Sequence, residues 1–320
     1  MKVFILTRKR LAVIGAALAL LLCVGIFRIA GVDNAVAASA NERRIPIYSV
    51  DTSDKKVSIS FDAAWGNEQT KTLLETLEKY KVKSTFFLVG DWVRKYPDDV
   101  KAIAKAGHDV GNHSNTHPYM TQISMDKMRE EIETCSTEIE KLTGKKPTLF
   151  RPPYGDYDNN VVDTVNGLGM YCVQWDVDSL DWKGLSAEEM CSRIKGNIQS
   201  GSIVLMHNGG ENTPSALPMI IEAIQELGYE IVPISELLPN GDYMTDHTGK
   251  MILKNKTSNS SSNTSTEANS EAAKPTAATV ETPSTSSVRS MVSSRKNTIS
   301  TNQGVKGQFD NMIASENKKK

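Results

Sequence analysis

Cysteine, unbalanced charge and internal repeats are all scarce in this sequence, and each shortage excludes something. There are four cysteines, Cys23, Cys135, Cys172 and Cys191, with no C-x-x-C pair among them. This excludes a disulfide framework and a zinc knuckle; one bridge is possible, and small buried side chains are the default. The formal net charge is −1 over 320 residues, so no basic excess points to nucleic acid. No exposed repeat or heptad pattern is present, and a monomer is the expectation.

What is present divides the chain into unlike parts. Lys2, Arg8, Lys9 and Arg10 precede 17 uncharged residues, Leu11 to Phe27. Arg28 interrupts the run, Ile29 and Ala30 continue it, and an arginine there can snorkel. Small-residue patterns at Ala35-Val36-Ala37 and Ala38-Ser39-Ala40 suit a signal peptidase. Residues 1–40 therefore read as a signal peptide if cleaved and a single-span membrane anchor if not. The basic flank stays inside in both cases, which puts the body of the protein outside the cytoplasm. Residues 41–56 read as a linker and 57–240 as the folded domain. Residues 241–320, rich in Ser, Thr and Asn and poor in apolar periodicity, read as a disordered tail.

Within 57–240, short apolar runs alternate with helical patterns. The runs are at 57–61, 84–89, 109–113, 148–153, 170–177, 201–207 and 229–234; helices are predicted near 68–80, 92–106, 124–142, 158–168, 186–199 and 214–227. Ser124 is a candidate N-cap, and Gly107, Gly144, Gly169 and Gly228 stand where left-handed caps end helices. Seven strands alternating with helices imply a parallel sheet, either open or closed as a barrel. Polar residues gather at the ends of several strands: Asp62, His113, Arg151, Asp178 and His207. A site drawn from many strand ends favours a barrel.

These residues carry recognisable chemistry. His113 and His117, four apart in H-S-N-T-H, suit zinc or a similar ion. Asp62 ends an apolar run and needs a partner if buried, which Arg151 can supply. Asp178 and His207 read as a second pair, with the carboxylate holding the imidazole as a general acid. Trp65 and Trp182 offer flat apolar walls for a sugar ring or an acetyl methyl. His108, beside Gly107, reads as structural or as part of the site with equal force.

Taken in order, S-F-D-A-A-W-G at 60–66, H-S-N-T-H at 113–117, R-P-P-Y-G at 151–155, D-S-L-D-W at 178–182 and L-M-H at 205–207 resemble the five motifs of the polysaccharide deacetylases, the NodB-homology domain of carbohydrate esterase family 4. The resemblance implies a distorted (β/α)7 barrel of the TIM-like kind. It implies a metal-dependent N-deacetylase that releases acetate from an amino sugar such as those of peptidoglycan. His113 and His117 would hold the divalent metal, zinc or cobalt, and Asp62 would be the base, oriented by Arg151. His207 would be the acid, tuned by Asp178. The backbone N–H of Tyr154 would face the oxyanion, and Trp182 and Leu205 would line the acetyl pocket.

One position departs. Where the family carries a second aspartate as third metal ligand, this chain has Ala63. A methyl group coordinates nothing, so weaker metal binding is expected, with water, substrate, Asp62, Asn67 or Glu68 as candidates for the remaining positions. The altered first motif resembles the PdaB-like sporulation branch of the family. That branch implies a role in the spore wall, as a deacetylase or as a weakened, glycan-binding relative of one.

Overall fold

The computed structural model describes residues 43–254. The signal segment and most of the proposed tail lie outside them. The described chain is an α/β fold built on one parallel sheet. Its strands are β1 (Ser49–Val50), β2 (Lys56–Ala63), β3 (Thr85–Leu88), β4 (Asp109–Asn112), β5 (Leu149–Phe150), β6 (Tyr171–Cys172), β7 (Val177–Asp178), β8 (Ile203–His207), β9 (Glu230–Ile231), β10 (Tyr243–Thr245) and β11 (Lys250–Leu253). Its helices are α1 (Thr70–Lys79), α2 (Gly90–Lys95), α3 (Pro97–Lys105), α4 (Met125–Thr143), α5 (Asn159–Gly167), α6 (Ala187–Asn197), α7 (Thr213–Glu226) and α8 (Ile234–Leu237).

The large sheet runs β6-β5-β4-β3-β2-β8-β7, with β9 pairing the start of β2. Every pairing in it is parallel. The sheet curls into a half-barrel, and among the described residues its end strands β6 and β7 do not pair. The apolar run 170–177, expected as one strand, is split between those two ends. The chain leaves β6 at Gln174, whose N–H donates to Ile47 O, and Asp176 then takes the amide of Ile203 beside β8.

Residues 43–56, expected as a linker, are partly built into the fold. Ile47 bridges Val173, and Ser49 bridges Ser202, so this segment spans from the β6 end of the curl to the start of β8. Ile47 and Val50 are buried, because this is where their apolar side chains leave water. Residues 243–253, assigned to the tail, form β10 and β11, and β11 pairs β1 in a small second sheet. Met251 is fully buried there and anchors this short segment to the fold.

Strand β2 shows how the sequence places the site. Val57, Ile59, Phe61 and Ala63 alternate into the large apolar core shared with the helices. Each large side chain buried this way contributes about 1.5–3 kcal/mol. The other face carries Ser58, Ser60 and Asp62. Ser58 Oγ donates to Val232 O and Ser60 Oγ to Val204 O, so the inner face stays polar with its groups paired. Around the sheet, the predicted 92–106 helix is two helices that meet at Pro97, where a proline opens α3. Ser124 caps α4 by accepting from Lys127 N, and Gly144 ends it in the left-handed conformation. Cys135 and Cys172 are buried, Cys191 is partly so, and none of the three is bonded to another.

Candidate functional site

The loops at the C-terminal ends of the strands carry the motif residues, and their backbones are unusual. Of the five non-glycine residues with positive φ among the described residues, four lie here: Ser114, His117, Tyr154 and Leu180. Such conformations persist only where the surroundings hold them, and they gather at functional sites.

Asp62 and Arg151 meet as expected. Arg151, fully buried, donates from Nη1 to Asp62 Oδ1 at 2.7 Å and from Nη2 to Ser60 Oγ and Gln174 O. Its guanidinium lies over the Phe87 ring at 4.1 Å. Burial alone would raise the Asp62 pKa, but the Arg151 charge and hydrogen bond, together with His113 and His207, outweigh it and hold the carboxyl below its usual range.

His113 and His117 also converge. They sit in the turn after β4 rather than on a helix. His113 Nδ1 lies 2.7 Å from Arg151 O, so Nδ1 carries the proton and Nε2 is left as a donor to a metal. The two Nε2 atoms are 3.3 Å apart, and Asp62 Oδ2 is 3.5 Å from that of His113. Burial lowers the pKa of both rings, that of His117 well below the ordinary value, which keeps them neutral as metal ligands must be.

The imidazole pair fits a divalent ion; the third position does not supply a donor. Ala63 is fully buried in the apolar core, and no cluster of three or more His, Cys, Asp or Glu among the described residues is arranged to hold a metal ion. The conjectured substitutes turn elsewhere. Asn67 donates to Asp99 Oδ2, and Glu68 folds back onto the Asn67 N–H.

The acid pair corrects the sequence reading. Asp178 does not hold His207; its Oδ1 accepts from Leu180 N at 2.8 Å, capping the turn that follows β7. That turn passes through left-handed Leu180 and brings Asp181, 1% exposed, against β8. Asp181 Oδ1 lies 2.8 Å from His207 Nδ1, and Oδ2 accepts from His207 N and Thr213 Oγ1. Burial disfavours the charged imidazole, but the Asp181 carboxylate, with Asp62 and Asp178 behind it, outweighs burial and raises the His207 pKa to about 9. Asp178 remains a smaller, more distant influence of the same sign. The second aspartate of D-S-L-D-W was visible in the sequence, but its side chain's direction depends on the turn.

The remaining candidates stand around these arms. Trp65 is stacked on His207 at 6.5 Å and edge-on to His117 at 6.0 Å. Its loop is clamped: Gly66 O accepts from Trp92 Nε1 and Asn208 Nδ2. A Cβ on Gly209 would lie 3.2 Å from the indole nitrogen, so glycine lets the β8–α7 loop close on the ring. Tyr154 packs its ring on His117 at 4.5 Å and on Tyr119 at 4.1 Å. Trp182 follows Asp181 and donates its backbone N–H to that carboxylate, while Leu205 is buried in β8. His108 is structural: it accepts the Ser84 N–H at the opposite ends of the strands, and burial lowers its pKa to about 4.

The comparisons with known proteins agree with this architecture. The polysaccharide deacetylase family model matches residues 49–173. A peptidoglycan-N-acetylglucosamine deacetylase of Bacillus cereus is 35% identical over 196 residues, covering 60% of this chain and 92% of that protein. The uncharacterized protein YlxY of Bacillus subtilis is 35% identical over 193 residues, and the match spans 60% of each chain. Among solved structures, BA3943 of Bacillus anthracis, described as a CE4 family pseudoenzyme, aligns with a TM-score of 0.59 at 36% identity, covering 65% of this chain and 70% of that one. A mutant of BA3943 is described as having restored enzymatic activity. The strand-end constellation, the curled parallel sheet and these likenesses together establish that this chain belongs to the polysaccharide deacetylase family.

Proposed function

We propose that this protein is an exported peptidoglycan N-acetyl amino-sugar deacetylase that hydrolyses the acetamide and releases acetate, acting in the formation of the spore wall. The observation that carries this reading is the His207–Asp181 pair facing the Asp62–Arg151 pair. One imidazole is held protonated and one carboxylate is held unprotonated, the two states that amide hydrolysis needs from its acid and base. The basic start and apolar run at residues 2–27 support export. The resemblance of the first motif to the sporulation branch supports the spore wall.

A divalent ion, zinc or cobalt, would be held by Nε2 of His113 and His117 and would supply Lewis-acid polarisation of the amide carbonyl. Asp62 accepts a proton from the attacking water, and Arg151 fixes the carboxylate that does so. The Tyr154 N–H supports the developing oxyanion. His207 gives its proton to the departing amine, and Asp181 stabilises the ring through both states. Trp182 and Leu205 form the apolar side that takes the acetyl methyl, and Trp65 stands as a wall beside His207.

A second reading rests on Ala63 and on the likeness to BA3943: the chain binds wall glycan on a deacetylase scaffold with little turnover. Acetate release from intact peptidoglycan by the full chain separates the two, with Zn²⁺ or Co²⁺ added and a chelator control. Metal-dependent release abolished by His207→Ala supports the enzyme. Glycan binding with no release under any metal condition supports the scaffold.

A further inference from the structure

The turn that carries both metal-binding imidazoles is held by a side chain from another element. Ser114 and His117 adopt left-handed backbone, with φ of 66° and 62°. A turn with two such residues needs outside support. Glu131 reaches it from α4. Its Oε2 accepts from Asn115 N at 2.9 Å and Thr116 N at 2.8 Å, and its Oε1 accepts from Thr116 Oγ1 at 2.9 Å. The residue is only 2% exposed, so water does not replace these bonds. From the other side, Gly90 N and Asp91 N donate to the carbonyls of Ser114 and Asn115. A Cβ on Gly90 would lie 2.4 Å from Asn115 Oδ1, so the start of α2 is also fitted to this turn. Glu131 falls on the buried stripe of α4 with Met128, Ile132, Cys135 and Ile139, a place where packing alone would call for an apolar residue.

We propose that Glu131 is a positioning residue: it fixes the H-S-N-T-H turn, sets the separation of the His113 and His117 nitrogens, and thereby sets the affinity for the divalent ion without touching ion or substrate. A carboxylate suits this place because all three groups aimed at it are donors, and it offers only acceptors. Alanine would leave those three donors buried and unpaired. Glutamine would keep one acceptor oxygen and turn an amide donor against the turn.

The inference rests on the reading of His113 and His117 as ligands, so the test has two readouts. Amide hydrogen exchange at Asn115 and Thr116, and titration with Zn²⁺ or Co²⁺ alone, are measured on the full chain for wild type, Glu131→Ala, Glu131→Gln and the exposed control Glu133→Ala. Glu131→Ala is expected to speed exchange of the turn at least about tenfold while α4 stays protected, and to weaken ion binding by about 10- to 100-fold. Glu131→Gln should fall between, which keeps the test decisive if the alanine variant does not fold, and Glu133→Ala should match wild type. Unchanged exchange in the turn overturns the proposal, as does a loosened turn with unchanged ion affinity. If the wild-type chain takes up neither ion, the ligand reading falls with the affinity part of the proposal, and the exchange rates still decide whether Glu131 holds the turn.

Discussion

The two halves of the site are built to different standards. On the acid side, His207 and Asp181 are buried, and both carboxylate oxygens are bonded, to the ring, the backbone and Thr213. On the side proposed to hold the metal, the two imidazoles converge, while Ala63, where the resemblance implies a third ligand, carries a methyl group buried in the core. The contrast teaches that a methyl group at the position proposed for a ligand need not loosen what surrounds it. Arg151 still ties Asp62 to the barrel, and the H-S-N-T-H turn keeps its strained backbone. A scaffold whose supports are separate hydrogen-bond sets can lose one donor and hold the rest in place.

The comparison can be broken or sharpened by experiment. The largest effect is expected at the complete half: His207→Ala should lower acetate release by about 10²–10⁴-fold with the fold intact by circular dichroism. Equal residual activity in the variant would remove His207 from the chemistry. Next comes the incomplete half. Ala63→Asp should raise Zn²⁺ affinity by about tenfold or more and increase acetate release; no change in either would mean that the ion uses another ligand geometry. Asp181→Asn should cost more activity than Asp178→Asn, because Asp181 is bonded to the imidazole and Asp178 accepts from the Leu180 N–H. The reverse order would restore the pairing read from sequence.

The smallest effect is in pH. The His207 pKa is raised from 6.5 to about 9, so its contribution to stability is whole below about pH 6.5 and is lost as the pH rises through 9. Asp62 is lowered, so its contribution is present above its ordinary value of 3.8 and is lost as the pH falls below that range. Unfolding free energies from denaturant titrations at pH 5 to 10 should therefore decline on the alkaline side in wild type, by at most a few kcal/mol. The decline should be much flatter in Asp181→Asn. An equal slope in both proteins would mean that some other group is titrating.

Much of this was legible from residues alone, for physical reasons. The alternation of apolar runs with helical stripes specified an α/β sheet, since burial of each face dictates its period. Ser124 and Gly144 marked the ends of α4 through hydrogen-bonding and φ preferences that act within a few residues, whereas the break at Pro97, inside the helix expected near 92–106, was not read from the sequence. The strand-end polar residues and the two histidines announced a site because local apolar context makes a polar residue conspicuous.

Other features depended on contacts distant in sequence. The choice between Asp178 and Asp181 turned on a left-handed residue between them, which aims one carboxylate at the backbone and the other at a ring on β8. The splitting of residues 170–177 into strands at opposite ends of the sheet came from pairing with Ile47 and Ile203. The use of 43–56 and 243–253 as structure rather than linker and tail came from a pairing between segments about 200 residues apart, which leaves no mark in local composition. Glu131 was the one such case with a local signal, a charge on a buried stripe, but only the fold supplied the turn it serves. The sequence by itself determined which side chains are available for acid, base and metal chemistry, and that position 63 carries a methyl group with no donor atom. The tertiary structure decided which carboxylate faces which imidazole, because hydrogen-bond partners are chosen by position in space, over distances of about 3 Å.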